Sequence, residues 1–135
     1  MNEQIRFVEV VEAIAIQQDQ IDRYGGDAGI RDRGLLASAM AMPRASFAGE
    51  YVHQDLVEMA GAYLFHLAKN HAFVDGNKRV ALAVMLYFLD FNGRRLQAGY
   101  GEVERLVLDV ASGTITKEQA TVVLRRWIVA LDEAS

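Results

Sequence analysis

His71-Ala72-Phe73-Val74-Asp75-Gly76-Asn77-Lys78-Arg79 runs directly into Val80-Ala81-Leu82-Ala83-Val84-Met85-Leu86-Tyr87-Phe88-Leu89-Asp90-Phe91, and Asn92-Gly93 closes the stretch. Over residues 80–91 nearly every helical face is apolar, with Asp90 as the interruption. A helix apolar all round sits in the middle of a domain. The stretch therefore predicts a central helix over about 77–91, with Asn92-Gly93 as its C-terminal stop.

The neighbouring segments read as the helices that would cover it. A first helix is expected over about 5–23, with Phe7, Val10, Val11, Ile14 and Ile21 on one face and Gly25-Gly26 ending it. A short helix over 33–42 is stopped by Pro43. Residues 44–52 have no period and read as an exposed loop or small hairpin. A third helix over about 54–69 carries Leu56, Met59, Ala60, Tyr63 and Leu67 on one stripe. Val103, Leu106, Val107 and Val110 mark a helix over about 102–111. Thr116 and Gln119 form a capping box, and the last helix is expected to run to about 131. No pair of strands with alternating polarity is evident. The expected fold is all-α, a helical bundle around the helix that starts at Asn77, in one domain over 1–135.

Composition narrows the chemistry. Cysteine is absent, which excludes disulfides, thiolate zinc sites and cysteine nucleophiles. The formal net charge of −4 argues against a generally basic nucleic-acid binder, so phosphate contacts must come from a local cluster. Met1-Asn2-Glu3-Gln4 lacks a basic stretch followed by an apolar core, so no signal peptide is expected, and the longest apolar run is too short to span a bilayer. A cytoplasmic protein is expected.

That local cluster lies at the entrance to the central helix. A helix N-terminus offers unpaired N–H groups and partial positive charge to an anion. Gly76 leaves those groups accessible. Arg79 provides a bidentate fork and Lys78 a mobile charge. Two cations in the first turn oppose the macrodipole, a cost that a bound anion would offset. Asp75 is a hard oxygen ligand suited to Mg2+ beside phosphate. His71 is the residue type suited to take a proton from an attacking hydroxyl. These parts describe phosphoryl or nucleotidyl transfer.

The segment resembles the signature of the Fic/Doc family, His-x-Phe-x-(Asp/Glu)-Gly-Asn-x-Arg, and more closely its death-on-curing branch, His-x-Phe-x-Asp-(Ala/Gly)-Asn-Lys-Arg. Seven such positions at roughly 5% each would coincide on the order of once in 10⁷ chains of this length. Upstream Gly29-Ile30-Arg31-Asp32-Arg33-Gly34-Leu35-Leu36 and downstream Phe88-Leu89-Asp90-Phe91-Asn92-Gly93 extend the likeness in the same order. The resemblance implies a Fic/Doc bundle with His71 as general base and Asp75 as Mg2+ ligand. It implies that Gly76, Asn77, Lys78 and Arg79 hold the phosphates of ATP, and that residues 44–52 form a flap that holds a target peptide. It further implies a toxin of a type II toxin–antitoxin pair, with a separate antitoxin protein of the Phd type. Its protein substrate would be elongation factor Tu, phosphorylated on a Ser/Thr hydroxyl so that translation halts.

Two departures from the adenylyl-transferring members bear on which group moves. Lys78 stands where those members have Gly, and Leu82 stands where they have a second Arg that clamps the γ-phosphate. Both favour a kinase. Protein AMP transfer is the alternative reaction on the same fold, and a catalytically silent binding partner the alternative class. Ala72 replaces a proline common in the family and carries little weight. Thr114-Ile115-Thr116-Lys117-Glu118-Gln119 is the nearest string to the family's internal inhibitory helix, but it ends in the wrong residue and reads as a cap. Outside the signature, His66 reads as structural and His53 as a cap or a neighbour of the flap, with no zinc site between them and His71. Arg31, Asp32 and Arg33 read as a surface ion-pair cluster, and Tyr63, Tyr87, Phe88 and Trp127 as core.

Overall fold

The computed structural model describes residues 4–132, so the expected domain limits at 1 and 135, and the first residues read for a signal peptide, lie outside it. Among the described residues the fold is a bundle of six α-helices with two short strand pairs: α1 (Val10–Tyr24), α2 (Arg33–Ala41), β1 (Ser46–Phe47), β2 (Glu50–Tyr51), α3 (Leu56–Asn70), α4 (Asn77–Phe91), β3 (Arg94–Leu96), α5 (Tyr100–Ser112), α6 (Lys117–Trp127) and β4 (Ile128–Ala130). Among the described residues, no helix is long and apolar enough to cross a membrane.

Helix α4 takes the bounds its sequence predicts and lies in the middle of the bundle, against α1, α3 and α5. Val80, Ala81, Val84, Met85, Phe88 and Leu89 are buried. Its burial is one-sided, because Leu86 and Tyr87 keep 39% and 48% of their surface. Tyr87 is thus no core residue. Helix α3 shares the centre. It contacts α2, α4, α5 and α6 and buries Met59, Tyr63, Leu64 and Leu67. Gly61 lets α6 approach, since a Cβ there would stand 2.7 Å from Thr121 Oγ1.

The first helix starts later than expected. The Glu9 N–H donates to Glu12 Oε1 at 2.9 Å, and this cap sets the start at Val10. Phe7 and Val8 are still buried, but they precede the helix in a segment without regular structure. The Tyr63 hydroxyl accepts from Val8 N at 2.9 Å and donates to Val8 O at 3.1 Å. Val11 is 73% exposed and does not belong to the buried stripe.

Asn92, just past α4, accepts from Arg6 N and donates to Arg6 O, which binds the N-terminal segment to the end of the central helix. A strand pair absent from the sequence reading completes this end, with Arg94 opposite Ala130 and Leu96 opposite Ile128. It also shortens α6, which stops at Trp127 because residues 128–130 are needed as a strand. The other pair is the hairpin expected within 44–52, with Ser46 opposite Tyr51 and a turn at Ala48-Gly49. Pro43 follows α2 inside a single 3-10 turn.

Candidate active site

Helix α3 ends at His71, whose backbone is left-handed at φ 50° and ψ 47°. Such a conformation costs a non-glycine residue about 1–2 kcal/mol, so its surroundings must hold it. Arg31 does so. Its Nε donates to His71 O at 2.7 Å and its second guanidinium nitrogen to Asn70 O at 3.4 Å. A cation on the last carbonyls of a helix also complements the macrodipole. The imidazole itself is exposed to solvent.

The chain then runs beside residues 29–32 as a short antiparallel pairing. Arg31 N and Asp32 N donate to Ala72 O, Val74 N donates to Gly29 O, and Ile30 bridges Phe73. Phe73 is 2% exposed and anchors the loop in the core. Asn77 closes it. Its Oδ1 accepts from Phe73 N and its Nδ2 donates to Phe73 O, both at 3.0 Å. Both polar ends of that side chain are therefore engaged by the loop, and a phosphate contact from Asn77 would come from its backbone N–H.

Gly76 is the N-cap of α4 at φ 77° and ψ 20°, and it brings no side chain to cap the helix. The first turn holds no acidic residue. Its N–H groups thus face outward beside two cations, the arrangement that receives an anion. Lys78 is exposed. Arg79 lies toward the end of α1, where it donates to Gln20 O at 3.4 Å and Gly25 O at 3.3 Å, with its guanidinium carbon 5.6 Å from the centre of the Tyr24 ring.

Asp75 accepts the Asp27 N–H at Oδ2, 3.0 Å. Among the described residues, no three His, Asp or Glu side chains gather as a ready-made metal site. Asp75 is a single half-buried carboxylate beside an anion cradle. That donor set fits Mg2+, which completes its shell with phosphate oxygens and water.

The structure brings His71, Asp75, Gly76, Asn77, Lys78 and Arg79 into one loop and helix start. The β1–β2 hairpin stands apart from them in sequence. Tyr51 sets its ring edge-on to Phe7 at 5.7 Å, whereas Phe47 is 81% exposed. Two residues after β2, His53 is buried, and its Nε2 and that of His66 both lie 3.2 Å from Lys117 Nζ. Thr116 and Gln119 cap α6 reciprocally, as read.

Two supporting residues escaped the sequence reading. Arg31 is no member of a surface ion-pair cluster, and Asp32 is the N-cap of α2, accepting from Leu35 N. Gln17 is 2% exposed and donates to Asp75 O and Asp27 O while accepting from Gly29 N. A signal was present, because Gln17 occupies the stripe of Val10, Ile14 and Ile21, where a polar side chain needs buried partners.

The model of the Fic/DOC family matches residues 7–89. Toxin Doc of Mycolicibacterium smegmatis is 43% identical over 91 residues, 66% of this chain and 70% of that protein. Protein kinase doc of Escherichia phage P1 is 34% identical over 122 residues, 90% of this chain and 95% of that protein.

Proposed function

The chain belongs to the Fic/DOC family, and from that membership we propose that it is a Doc-like toxin that transfers the γ-phosphate of ATP to a Ser/Thr hydroxyl of a target protein. The observation that carries this reading is the α4 N-terminus, where an uncapped turn bearing Lys78 and Arg79 adjoins Asp75 and follows His71 by a few residues.

In the proposed reaction the target hydroxyl gives its proton to the His71 imidazole. Its oxygen bonds to the γ-phosphorus as the bond to the β–γ bridging oxygen breaks, and ADP leaves. The N–H groups of the α4 first turn and the Lys78 and Arg79 cations bind the phosphoryl oxygens and stabilise the charge that develops there. Asp75 would hold Mg2+, which supplies charge neutralisation between phosphates when bound. Asn77 keeps the loop in register through Phe73.

Lys78 and Leu82 favour phosphate over AMP, because beyond Arg79 this face of α4 turns apolar. Elongation factor Tu is the proposed target, a separate Phd-type antitoxin the proposed inhibitor, and the cytoplasm the proposed compartment. The test is incubation with Mg2+, elongation factor Tu and bacterial lysate, using ATP labelled at the α- or the γ-phosphate. Label from γ alone supports the kinase. Label from α replaces it with AMP transfer. Absence of both, with ATP still bound, leaves a binding role. His71→Ala should abolish labelling with the fold intact.

A further inference from the structure

His71, Val74 and Lys78 of the signature are exposed, and within the signature the buried Phe73 ring and the Asn77 side chain anchor the loop at the Phe73 backbone rather than at His71 or Asp75. The constraint on those two comes from outside the signature. From Asn70 to Asp75, backbone groups of the loop are bound by partners on α1 and the following segment. Arg31 takes Asn70 O and His71 O through its side chain and Ala72 O through its N–H. Gly29 O takes Val74 N, and Gln17 takes Asp75 O at 3.1 Å. Gln17 then joins the two ends of this support, since the same amide binds Asp27 O and Gly29 N, both at 3.3 Å. Asp27 in turn donates to the Asp75 carboxylate.

We propose that Gln17 and Arg31 are positioning residues, Arg31 setting the His71 imidazole and Gln17 setting the Asp75 carboxylate, so that base and metal ligand stand at a fixed separation before any ligand arrives. This rests on the roles given to His71 and Asp75 in the proposed reaction.

The physical case differs for the two. His71 holds a backbone conformation unfavourable for its residue type, and the 2.7 Å charge-assisted bond from Arg31 is made to its own carbonyl. Without it, the peptide after His71 regains its freedom and the imidazole swings with it. Gln17 is a buried amide with three backbone partners, two of which flank the carboxylate. Groups that orient metal ligands typically govern metal affinity or activity by about 10–100-fold when removed.

The two roles separate in a single set of assays. Arg31→Gln should lower the thermal midpoint modestly, through the lost bond to the strained His71 carbonyl, while kcat falls about tenfold or more at an unchanged Mg2+ requirement. Arg31→Lys, which keeps one cationic donor, should recover part of the loss. Gln17→Met should raise the Mg2+ concentration for half-maximal rate about tenfold or more. It should weaken by a similar factor the broadening of the Asp75 and Asp27 amide resonances by Mn2+ in the presence of ADP, a readout that needs no turnover. Gln17→Asn keeps the amide but shortens its reach, and replaces Gln17→Met if that variant does not fold.

Folded variants with wild-type kcat, Mg2+ requirement and Mn2+ titration overturn the inference alone. Variants that change only the thermal midpoint do the same, because they show a structural role and nothing more. A wild-type protein that transfers no label from any nucleotide overturns the proposed reaction, and this inference falls with it.

Discussion

Lowering the pH should destabilise the fold through His66, and the size of the effect follows from its surroundings. Lys117 Nζ lies 3.2 Å from Nε2 of both His66 and His53. Burial, then the Lys117 ammonium and the neighbouring His53, push the His66 pKa down from 6.5 to about 4. His53 is lowered for the same first two reasons, partly opposed by Glu58 and the Met42 backbone. Both rings stay neutral in the folded protein at pH values where the unfolded chain already takes up protons. Stability is therefore fully present above pH 6.5, is lost as pH falls from there, and the loss levels off near 4. At about 1.4 kcal/mol per pH unit the ceiling for His66 is about 3 kcal/mol. The ring is only partly shielded from water, which reduces this to about 1–2 kcal/mol, with about 1 kcal/mol gone by pH 5. Urea unfolding at pH 7.5, 6 and 5 measures it, with His66→Gln as the reference, because carboxylates such as Asp55 give both proteins the same background slope. Lys117→Met should narrow the difference without closing it, since burial is the larger cause. Parallel loss of stability in wild type and His66→Gln, or a His66 ring that titrates near 6.5 by NMR, would refute the reasoning.

Gly61→Ala should destabilise by about 1 kcal/mol in urea unfolding: its Cβ would stand 2.7 Å from Thr121 Oγ1, an overpacking cost of about 1–3 kcal/mol set against about 1 kcal/mol of helix propensity. Adding Thr121→Ala should recover most of the loss. Asn77→Ala removes both bonds to the Phe73 backbone and should cost about 2 kcal/mol, with labelling activity falling further than binding of ATP. His71→Gly should be more thermostable than His71→Ala by about 1 kcal/mol, because glycine alone accepts φ 50° without strain, while both lose activity.

What the sequence disclosed, and what it hid, divides by range. Helix α4 was legible to the residue because its determinants are local: an apolar run, two cations and a glycine before it, Asn92-Gly93 after it. The grouping of His71, Asp75 and residues 76–79 at one loop and helix start was legible for the same reason, because they are contiguous. Helix α1 was extended too far back because Phe7 and Val8 are apolar at helical spacing, and only the Glu9–Glu12 cap shows that the helix starts after them. The β3–β4 pair was invisible because three residues such as Arg94-Arg95-Leu96 are too few for alternation to show, and their partners are over thirty positions away. Arg31 was misread because adjacent opposite charges invite a local pairing, whereas its side chain reaches carbonyls 39 and 40 positions later.

Arg79 joins these two ranges and bears on which group is transferred. Its guanidinium donates to two carbonyls at the end of α1, at 3.3 and 3.4 Å, the long end of the hydrogen-bond range. An anion arriving at the α4 N-terminus would replace these neutral acceptors with charged ones, whose bonds are roughly twice as strong. The exchange needs only rotation of one side chain. One helical turn further along, Leu82 lies with Tyr100 and Val103 in a mostly apolar groove between α4 and α5, and the next cations lining that groove, Arg94 and Arg95, come only past the far end of α4. A triphosphate lying along α4 would leave its far end against apolar side chains and pay desolvation without a partner. One presented end-on keeps its terminal phosphoryl among Lys78, Arg79 and the helix N–H groups. The shallow cradle thus favours transfer of the γ-phosphate in the proposed reaction, and Leu82→Arg, which would deepen it, should raise AMP transfer relative to phosphate transfer when label from the two positions of ATP is compared.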